Sequence, residues 1–447
     1  SHSWIYNLRG NARTAGITRQ KEGGGVFDSG ARTGVAVLIA TKNPHAPGPC
    51  QISYHGVPDY QTQEDKLAGI HTAALNAVPW QTITPNQAGD WLNQRNDSFA
   101  EYPAIGNTAK PTGEATYFAS QSAGVQTNRD AWCYNFSATK VEHNMRRMID
   151  FYNQQAAARP VGESDLDMDP TQISWSRNIK RTALAGVTGV YDAEHVRGQA
   201  MYRPFCKQAL YFDSVFNSVP GKNADYFPTP DHENTGIYLV APGSDRPFAS
   251  FMTDVLPDLA MWGSSSGQFF PRWTYEKPAG DDALFASASR DVDVYGYQRV
   301  DNITDEILSD YRTRFGNQVV KDDIFHYVYG VLHSEQYRDT FAADLKRMPP
   351  RIPLAMSRAD FEAFAEAGRK LADLHINYDA VEPYPLHEPI VAGIDEWELY
   401  RVTKMRWADK TTKMAIVFNR HITLSDIPAD AHRYLLGSRS ALEWLID

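Results

Sequence analysis

EGGGVFDSGARTGVAVLIATKN, residues 22–43, joins three glycines to a phenylalanine and then to an apolar strand. Glycine loses more conformational freedom on folding than any other residue, so a glycine run indicates close backbone approach or a positive φ. GVAVLIA at 34–40 predicts a continuous apolar strand of the kind that is buried on both faces. Two interpretations of Phe27 remain open here: a turn residue packed into the core, or a ring presented to a ligand.

Length and composition indicate a globular protein. A chain of 447 residues with 42% hydrophobic and 22% charged side chains is ordinary for a protein of two or three domains. Three cysteines, Cys50, Cys133 and Cys206, suit neither a disulfide framework nor a cysteine zinc site and favour a reducing compartment. No membrane span or signal peptide is recognisable, so we expect a soluble, cytoplasmic protein.

The charge is unevenly distributed along the chain. A net charge of −10, taken alone, argues against a nucleic-acid partner. Residues 1–42, however, carry six basic and two acidic side chains, residues 171–222 carry seven and three, and residues 401–421 carry six and one. Such segregated basic stretches can form one positive face on an acidic protein. Basic side chains scattered over the surface are the alternative.

Hydrophobic periodicity predicts strands and a helix in the first part of the chain. SWIYNL at 3–8 and CQISYHG at 50–56 are β-prone and flank the GVAVLIA strand. Thr62 is expected to cap a helix. Ser137 is expected to cap a second helix whose apolar face comprises Val141, Met145, Met148, Ile149 and Tyr152.

The second half of the chain changes from β-rich to helical. Residues 171–290 combine aromatic residues with many turn signals, which is typical of short strands. Thr304 begins a helix that ends at Gly316, and amphipathic segments continue to residue 378. The fold class is therefore predicted to be mixed, α+β.

Motifs alone supply no complete active site. GSSSG at 263–267 matches a nucleophile elbow with Ser265 as the nucleophile. The QFFPRW that follows, however, has a proline where that motif needs a helix, so a flexible turn is the preferred interpretation. No HExxH, phosphate-binding loop or G-x-G-x-x-G occurs. His333 lies among aromatic residues and is expected to be structural, and no metal site is predicted.

Longer blocks of the sequence resemble a known family. They include YNLRGNARTAG at 6–16, RQKEGGGVF at 19–27, GARTGVAVLIATKNP at 30–44, QTNRDAWCYNFS at 126–137, ISWSRN at 173–178 and DIFHYVYGVLHSEQYRDTFAADLKRMPPRIP at 323–353. Nearly the whole chain resembles the C-terminal part of Type ISP restriction–modification enzymes. These are single polypeptides that combine a nuclease, a helicase-like ATPase, an adenine-specific DNA methyltransferase and a target-recognition domain.

The resemblance implies a division into two parts. Residues 1–78 resemble the last strands of a Rossmann-like methyltransferase sheet. Residues 79–447 resemble the DNA target-recognition domain, β-rich to about residue 300 and more helical after it. The half that binds S-adenosylmethionine and the N/D-P-P-Y/F tetrapeptide would lie upstream. This chain is therefore expected to hold no cofactor; it shows no complete active site, which leaves open whether it is an enzyme by itself. S-adenosylmethionine, ATP and Mg²⁺ would serve upstream domains of the parent, which modifies, translocates along and cleaves double-stranded DNA.

The resemblance also implies roles for individual residues. In related adenine methyltransferases, a phenylalanine just before the final strand stacks on the adenine flipped from the duplex, which assigns that role to Phe27. The glycines at 23–25 are expected to let the ring and backbone approach DNA. Base edges are read by side chains such as Arg and Asn, and the candidates are Asn128, Arg129, Arg177 and Asn178. Further DNA contacts are expected from Arg13, Arg19, Lys21, Arg32, Lys180, Arg181, Arg203 and Lys207. Trp132 and Trp175 are expected to anchor the core.

Two functions from different classes follow. The first is sequence-specific recognition of double-stranded DNA that positions a flipped adenine for methylation by upstream domains of the same polypeptide. The second is a free-standing, non-catalytic DNA-binding specificity protein acting in trans. The GVAVLIA strand favours the first, because it needs further strands to complete a sheet. A serine hydrolase using Ser265 is a third, weaker hypothesis.

Overall fold

The fold is a mixed α+β arrangement of several small sheets and helices. The computed structural model describes residues 1–447 except 15, 28–29, 46–47, 107–112, 264–265, 279–291, 390 and 447. The strands are β1 (His2–Arg9), β2 (Val35–Thr41), β3 (Gln51–Gly56), β4 (Gln81–Ile83), β5 (Tyr134–Asn135), β6 (Val196–Arg203), β7 (Cys206–Tyr211), β8 (Gly236–Val240), β9 (Ser250–Thr253), β10 (Gly267–Pro271), β11 (Trp273–Glu276), β12 (Gln298–Asp301), β13 (Arg406–Trp407), β14 (Ile416–Val417), β15 (Thr423–Leu424), β16 (Leu435–Leu436) and β17 (Arg439–Ser440). The helices are α1 (Gly16–Glu22), α2 (Gln63–Thr72), α3 (Asp130–Cys133), α4 (Ala138–Ala157), α5 (Arg177–Leu184), α6 (Asn223–Tyr226), α7 (Asp305–Phe315), α8 (Lys321–His333), α9 (Glu335–Thr340), α10 (Ala342–Leu345), α11 (Arg358–Ile376), α12 (Glu396–Tyr400) and α13 (Ala441–Ile446).

The first sheet has the strand order β2-β1-β3-β4. β1 pairs antiparallel with β2 and parallel with β3, and β3 pairs antiparallel with β4. β2 is one of the two edge strands, and its apolar side chains are exposed on both faces, Leu38 by 61% and Ile39 by 48%. The expectation of a buried strand is therefore wrong for the described chain. The apolar side chains make β2 suitable for burial. A strand is buried only where other residues pack on it, and the described residues leave β2 exposed.

Helix α2, like β2, leaves apolar side chains exposed. Thr62 caps it as predicted: its Oγ1 accepts from Asp65 N (3.2 Å), and Asp65 Oδ2 accepts from Thr62 N (3.0 Å), a reciprocal capping box. Its apolar residues Leu67 and Ile70 are nevertheless exposed. β2 and α2 thus present apolar surface that the described residues leave uncovered.

A three-stranded sheet of order β10-β8-β9 separates two hydrophobic cores in the rest of the chain. Successive strand residues face opposite sides, so Tyr238 of β8 belongs to the first core while Ile237 and Leu239 belong to the second. Phe269 and Phe270 of β10 divide in the same way. The β-rich and helical parts are therefore joined through one shared sheet.

The first core is built around α4. Ser137 caps this helix, its Oγ accepting from Lys140 N (3.3 Å). Trp132 is buried in this core and Trp175 packs against it, which confirms both as core anchors. The predicted apolar face is buried in full: Val141, Met145, Met148, Ile149 and Tyr152.

The second core is built around α7, α8 and α11. Thr304 caps α7, and the helix ends at Gly316 with φ +105°, as predicted. α8 and α11 cross where neither backbone leaves room for a side chain. A Cβ on Gly330 would lie 2.3 Å from the Phe364 carbonyl oxygen.

Two sequence predictions concern boundaries and one concerns a motif. β4 lies beyond the predicted boundary at residue 78 and still pairs with β3. The division at 78 and the change near 300 stay predictions. Ser265 lies outside the described residues.

Within the described ranges, no helix combines the length and hydropathy needed to cross a membrane.

Candidate nucleic-acid interface

The glycine run before Phe27 packs against the loop that leads into α2. A Cβ on Gly23 would lie 2.1 Å from Gln61 O, and one on Gly24 would lie 2.6 Å from Gln63 N. Gly23 also has φ +67°, which residues with a side chain rarely adopt. These two glycines therefore serve close packing within the chain. The expectation that the glycines at 23–25 let the ring and backbone approach DNA stays a prediction.

Two cations hold the carbonyl groups of the same loop. Lys66 Nζ donates to Glu22 O and to Gly24 O, both at 2.7 Å, and Arg19 Nη1 donates to Gly23 O at 2.6 Å. Lys66 is 1% exposed, and burial lowers the pKa of its ammonium group. We call this arrangement the carbonyl clamp. It fixes the backbone up to the residues that present the aromatic ring.

Phe27 follows the carbonyl clamp and is 64% exposed. The preceding residue, Val26, is tied to α2, since Gln63 Nε2 donates to its carbonyl oxygen (3.3 Å). The interpretation of Phe27 as a core residue is therefore wrong for the described chain. The ring stands at the surface on a backbone that is fixed immediately before it.

The basic residues predicted around Phe27 have different environments. Arg13 and Arg32 are exposed and lie on adjoining segments, because Ala12 N donates to Arg32 O (2.9 Å). Lys21 pairs with Asp59 (3.7 Å). Arg13 and Arg32 therefore remain the more accessible cations here, whereas Arg19 belongs to the carbonyl clamp.

A cleft of about 680 Å³ brings together four of the predicted contact residues. Arg177 and Arg181 lie one turn apart on α5 and are both exposed. Asn128 and Asn178 contribute amides to the same cleft. Two segments nearly fifty residues apart in sequence, 126–128 and 176–181, thus converge on one positively charged surface. We refer to it as the α5 cleft.

Asn178 is fixed by hydrogen bonds on both sides of its amide. Its Oδ1 accepts from Ser176 Oγ and from Ser218 Oγ (3.1 Å). Its Nδ2 donates to Val215 O (3.3 Å). The side chain is half-buried and is held at the floor of the α5 cleft.

Asn128 is exposed at the rim of the α5 cleft and has φ +57°, a conformation that asparagine tolerates better than most residues. Its Oδ1 accepts from Gln126 Nε2 (2.9 Å). Glu163, an acid that also lines the cleft, pairs with Lys180 (2.7 Å). Lys180 therefore neutralises a rim carboxylate, and the arginines supply the uncompensated charge.

Arg129 does not reach the surface. It is 2% exposed; its Nε donates to Ser174 O (3.3 Å) and its Nη2 donates to Ser176 Oγ. Burial lowers the pKa of its guanidinium, and the nearby Asp213 carboxylate opposes that shift. The prediction that Arg129 reads a base edge is corrected: its guanidinium joins the two segments that form the cleft.

Arg203 and Lys207 are also occupied within the fold. Arg203 Nη1 donates to Asp258 Oδ1 (3.1 Å), a carboxylate whose pKa burial raises to about 6 against the opposing Arg203 charge. Lys207 Nζ donates to Ile376 O (2.9 Å). Neither lines the α5 cleft. The expectation that they contact phosphates finds no support in their placement.

Sequence reasoning missed three residues of these sites. Lys66 carries the carbonyl clamp, and Ser176 and Ser218 hold Asn178. Each contacts a group that is close in space. The partners of Lys66 and Ser218 lie about 40 residues away in the sequence. No local sequence pattern signals such a contact.

Across the described ranges, no group of three His, Cys, Asp or Glu side chains is arranged to hold a metal ion. A second pocket, of about 410 Å³, surrounds His232. Both ring nitrogens of His232 have partners, Thr229 Oγ1 at 2.7 Å and Asp293 Oδ2 at 2.8 Å. This histidine is therefore bonded within the fold.

Comparison with protein families places these features in context. The model of the Type ISP C-terminal specificity domain matches residues 116–447. The chain belongs to this family. The resemblance predicted from the sequence is thereby confirmed. No curated protein matches the chain of this Type ISP specificity domain.

Solved structures are similar to this Type ISP specificity domain over all of its described chain. A nuclease-deletion mutant of the Type ISP enzyme LlaGI in complex with a DNA substrate mimic is 32% identical, with a TM-score of 0.80. A DrdV–DNA complex is 29% identical and the ATP-dependent Type ISP enzyme LlaBIII bound to DNA is 28% identical, both with TM-scores of 0.81. The chain covers 39%, 42% and 28% of those three chains, respectively. It thus spans less than half of the length of each.

Proposed function

We propose that this Type ISP specificity domain recognises a defined sequence of double-stranded DNA through the α5 cleft. The observation that carries the proposal is the convergence of Arg177, Arg181, Asn128 and Asn178 in one cleft. Arginine and asparagine are side-chain types that read base edges, and arginine also binds phosphates. The similar LlaGI, DrdV and LlaBIII structures are described as complexes with DNA or a DNA mimic.

We also propose that the domain acts in cis, within a longer polypeptide that carries methyltransferase, helicase-like and nuclease domains. The exposed apolar edge strand β2 and the exposed apolar residues of α2 support this, because strands of a Rossmann-like methyltransferase sheet would cover both. An uncovered apolar edge is unusual in a protein acting alone. S-adenosylmethionine would be bound upstream, and no residue of this chain is assigned to it.

In that assembly, Phe27 would stack on the target adenine after it leaves the duplex. An unstacked base loses its neighbours, and an aromatic face replaces part of the lost stacking. The exposure of the ring and the fixed backbone before it support this role. The carbonyl clamp would spare the enzyme the cost of ordering this loop at the moment of flipping.

Variants of the α5 cleft test the reading function in the full-length polypeptide. We expect Arg177→Ala to relax preference at one base pair, by about 1–3 kcal/mol if the contact is bidentate. Arg181→Ala should weaken all sequences alike and reduce the salt dependence of binding by about one counterion. Affinities for a library of singly substituted duplexes at several salt concentrations measure both effects.

Arg358→Ala is the matched control, since it removes an exposed arginine of α11 that pairs with Glu362. It should alter neither the base profile nor the salt slope. Binding indifferent to salt, or an unchanged base profile in every cleft variant, would refute the proposed function.

A further inference from the structure

Asn178 ends a hydrogen-bond chain that can run in one direction only. Arginine is a donor without any acceptor, so Ser176 Oγ must accept from Arg129 Nη2. The Ser176 hydroxyl proton is then available to Asn178 Oδ1. Ser218 Oγ lies 3.1 Å from both Ser176 Oγ and Asn178 Oδ1. Since only one of the two serines can donate to the other, at least one hydroxyl proton is left for Oδ1. The buried arginine therefore sets the polarity of the whole chain.

The opposite amide orientation of Asn178 is disfavoured by its neighbours. Rotated by 180°, the amide would lose the hydrogen bond that its oxygen now accepts from Ser176 Oγ. Its oxygen would then face the Val215 carbonyl oxygen at about the present 3.3 Å, which brings two acceptors together. The assigned orientation is thus the one in which every group has a complementary partner.

In this orientation, Asn178 offers the α5 cleft an N–H donor, while its oxygen faces the Ser176 and Ser218 hydroxyls. One amide hydrogen is used by Val215 O, and the second remains for a ligand. Bidentate pairing with adenine needs both the oxygen and the nitrogen of an asparagine amide. For that pairing, which the residue type suggested, adenine would have to compete with the two serine hydroxyls for the amide oxygen. Both purines present N7 as an acceptor in the major groove, but only guanine adds a second acceptor, O6.

We propose that Asn178 selects guanine over adenine at one position of the target by donating to O6, where adenine has an N6–H2 donor instead, and that Arg129 and Ser176 are the positioning residues that keep its amide in this orientation. The inference rests on the proposed function, since it requires that the α5 cleft meets base edges. Arg177 on the same surface is also a donor only. Asn128 likewise has its oxygen occupied. The donors of Arg177 and Asn178 are together complementary to an acceptor-rich base edge.

Base analogues test the proposal with the full-length polypeptide and its target, selected from randomised duplexes. Each guanine of the target is replaced in turn by 7-deazaguanine, which lacks N7, by 2-aminopurine, which lacks O6, and by inosine, which keeps both. At one position we expect 2-aminopurine to lower affinity about 3- to 10-fold, the range of a single hydrogen bond, and 7-deazaguanine to have little effect, since adenine shares N7. Inosine should have little effect there, and Asn178→Ala should abolish the analogue effect.

Variants of the chain behind Asn178 test the positioning role. Ser176→Ala should lower the guanine-over-adenine ratio at that same position to the level of Asn178→Ala, and the double variant should be no worse than either single one. Ser176→Thr retains the hydroxyl and should retain the ratio. Ser174→Ala is the control, because it keeps the carbonyl that Arg129 Nε uses. Melting temperatures identify any variant that fails to fold.

The outcomes separate this inference from the function on which it rests. If Arg177→Ala relaxes preference while Asn178→Ala alters no guanine position, the cleft reads DNA and the role of Asn178 is refuted. If Ser176→Ala weakens all sequences equally and leaves the ratio intact, the positioning role is refuted. If neither Arg177→Ala nor Asn178→Ala changes any preference, the proposed function itself fails.

Discussion

At the scale of single residues, the exposure of Phe27 is built by its neighbours. Lys66 and Arg19 donate hydrogen bonds to the carbonyl oxygens of the loop. Gly23 adopts a positive φ that a residue with a side chain rarely adopts. The Phe27 ring is therefore not stabilised by burial within the described chain. It is already positioned to stack on a ligand that has a planar face.

Replacing Phe27 by alanine in the full-length polypeptide should slow methylation of the target adenine and leave stability unchanged. Base–aromatic stacking contributes about 1–3 kcal/mol per base, which corresponds to a rate about 5- to 150-fold lower at 1.4 kcal/mol per decade. Substitution of an exposed residue changes the free energy of unfolding by about 0.5 kcal/mol or less. Single-turnover methylation and a thermal melt of the same variant measure both quantities.

Phe27→Trp is the control, because it keeps an aromatic face and should keep most of the activity. A lower melting temperature together with normal activity per folded molecule would show that the ring has only a packing role.

Residue types were predictable from the sequence, but residue environments were not. Arg129 and Arg177 both stand beside an asparagine in short polar segments, yet one is buried and the other exposed. What separates them is the contact of Arg129 with Ser174 and Ser176. A contact between segments 45 residues apart leaves no local trace.

At the scale of elements, α8 and α11 illustrate how two helices can approach without side chains between them. On Gly368, a Cβ would lie 2.0 Å from the His326 carbonyl oxygen and 2.9 Å from Gly330 N. The backbones touch directly, so the crossing tolerates no methyl group on either helix. This contact joins the helices that form the second core.

Gly368→Ala should therefore destabilise the protein, although alanine is the better helix former. Overpacking a close contact costs roughly 1–3 kcal/mol, which exceeds the gain of about 1 kcal/mol in helix propensity. Gly69→Ala in α2 is the matched control, because its Cβ would lie 3.5 Å from Tyr6 Oη, an ordinary contact. We expect thermal melts to show a lower midpoint for Gly368→Ala and an equal or higher one for Gly69→Ala. A higher midpoint for both would contradict the packing argument.

Helices with local start signals were predicted well. Thr62, Ser137 and Thr304 each cap a helix within the first turn, and the signal lies in the same few residues as the structure. β2 was predicted as a strand, but its burial was not. Burial of a strand depends on residues from other parts of the chain that pack on it. The same apolar sequence predicts a strand whether or not those residues are present.

At the scale of the whole molecule, one buried histidine ties three parts of the chain together. His375 of α11 is hydrogen-bonded through Nδ1 to the Tyr329 hydroxyl of α8 and through Nε2 to the Tyr434 hydroxyl near the C-terminus (2.7 Å). His333 lies beside it and donates from Nδ1 to Tyr329 O (3.0 Å), which confirms its structural role. Burial lowers the pKa of both imidazoles, that of His333 to about 4, and Arg338 adds to the shift at His333.

Stability should therefore fall on acidification below neutral pH. An unfolded histidine binds a proton at about pH 6.5, whereas these two folded histidines do so only at lower pH. The unfolded state then holds more protons between about pH 6.5 and 4, so the free energy of unfolding decreases as the pH falls through that window. Denaturant titrations at pH 7 and pH 5 should show it.

His375→Gln should remove part of this pH dependence, because the glutamine amide has both a donor and an acceptor for the Tyr329 and Tyr434 hydroxyls and does not titrate. His143→Gln, on the exposed side of α4, is the control and should leave the dependence unchanged. If His375→Gln keeps the full dependence, this histidine is not its source.

The open edge of β2 also bears on how the protein is made. Its free N–H and C=O groups and exposed Val37, Leu38 and Ile39 have the features of a template for intermolecular β-pairing. Two copies that meet through this strand would extend each other's sheets, and aggregation would compete with assembly during synthesis. Until a covering sheet is in place, this strand is the most aggregation-prone part of the first sheet. Chaperones that hold extended apolar segments would be expected to engage it first.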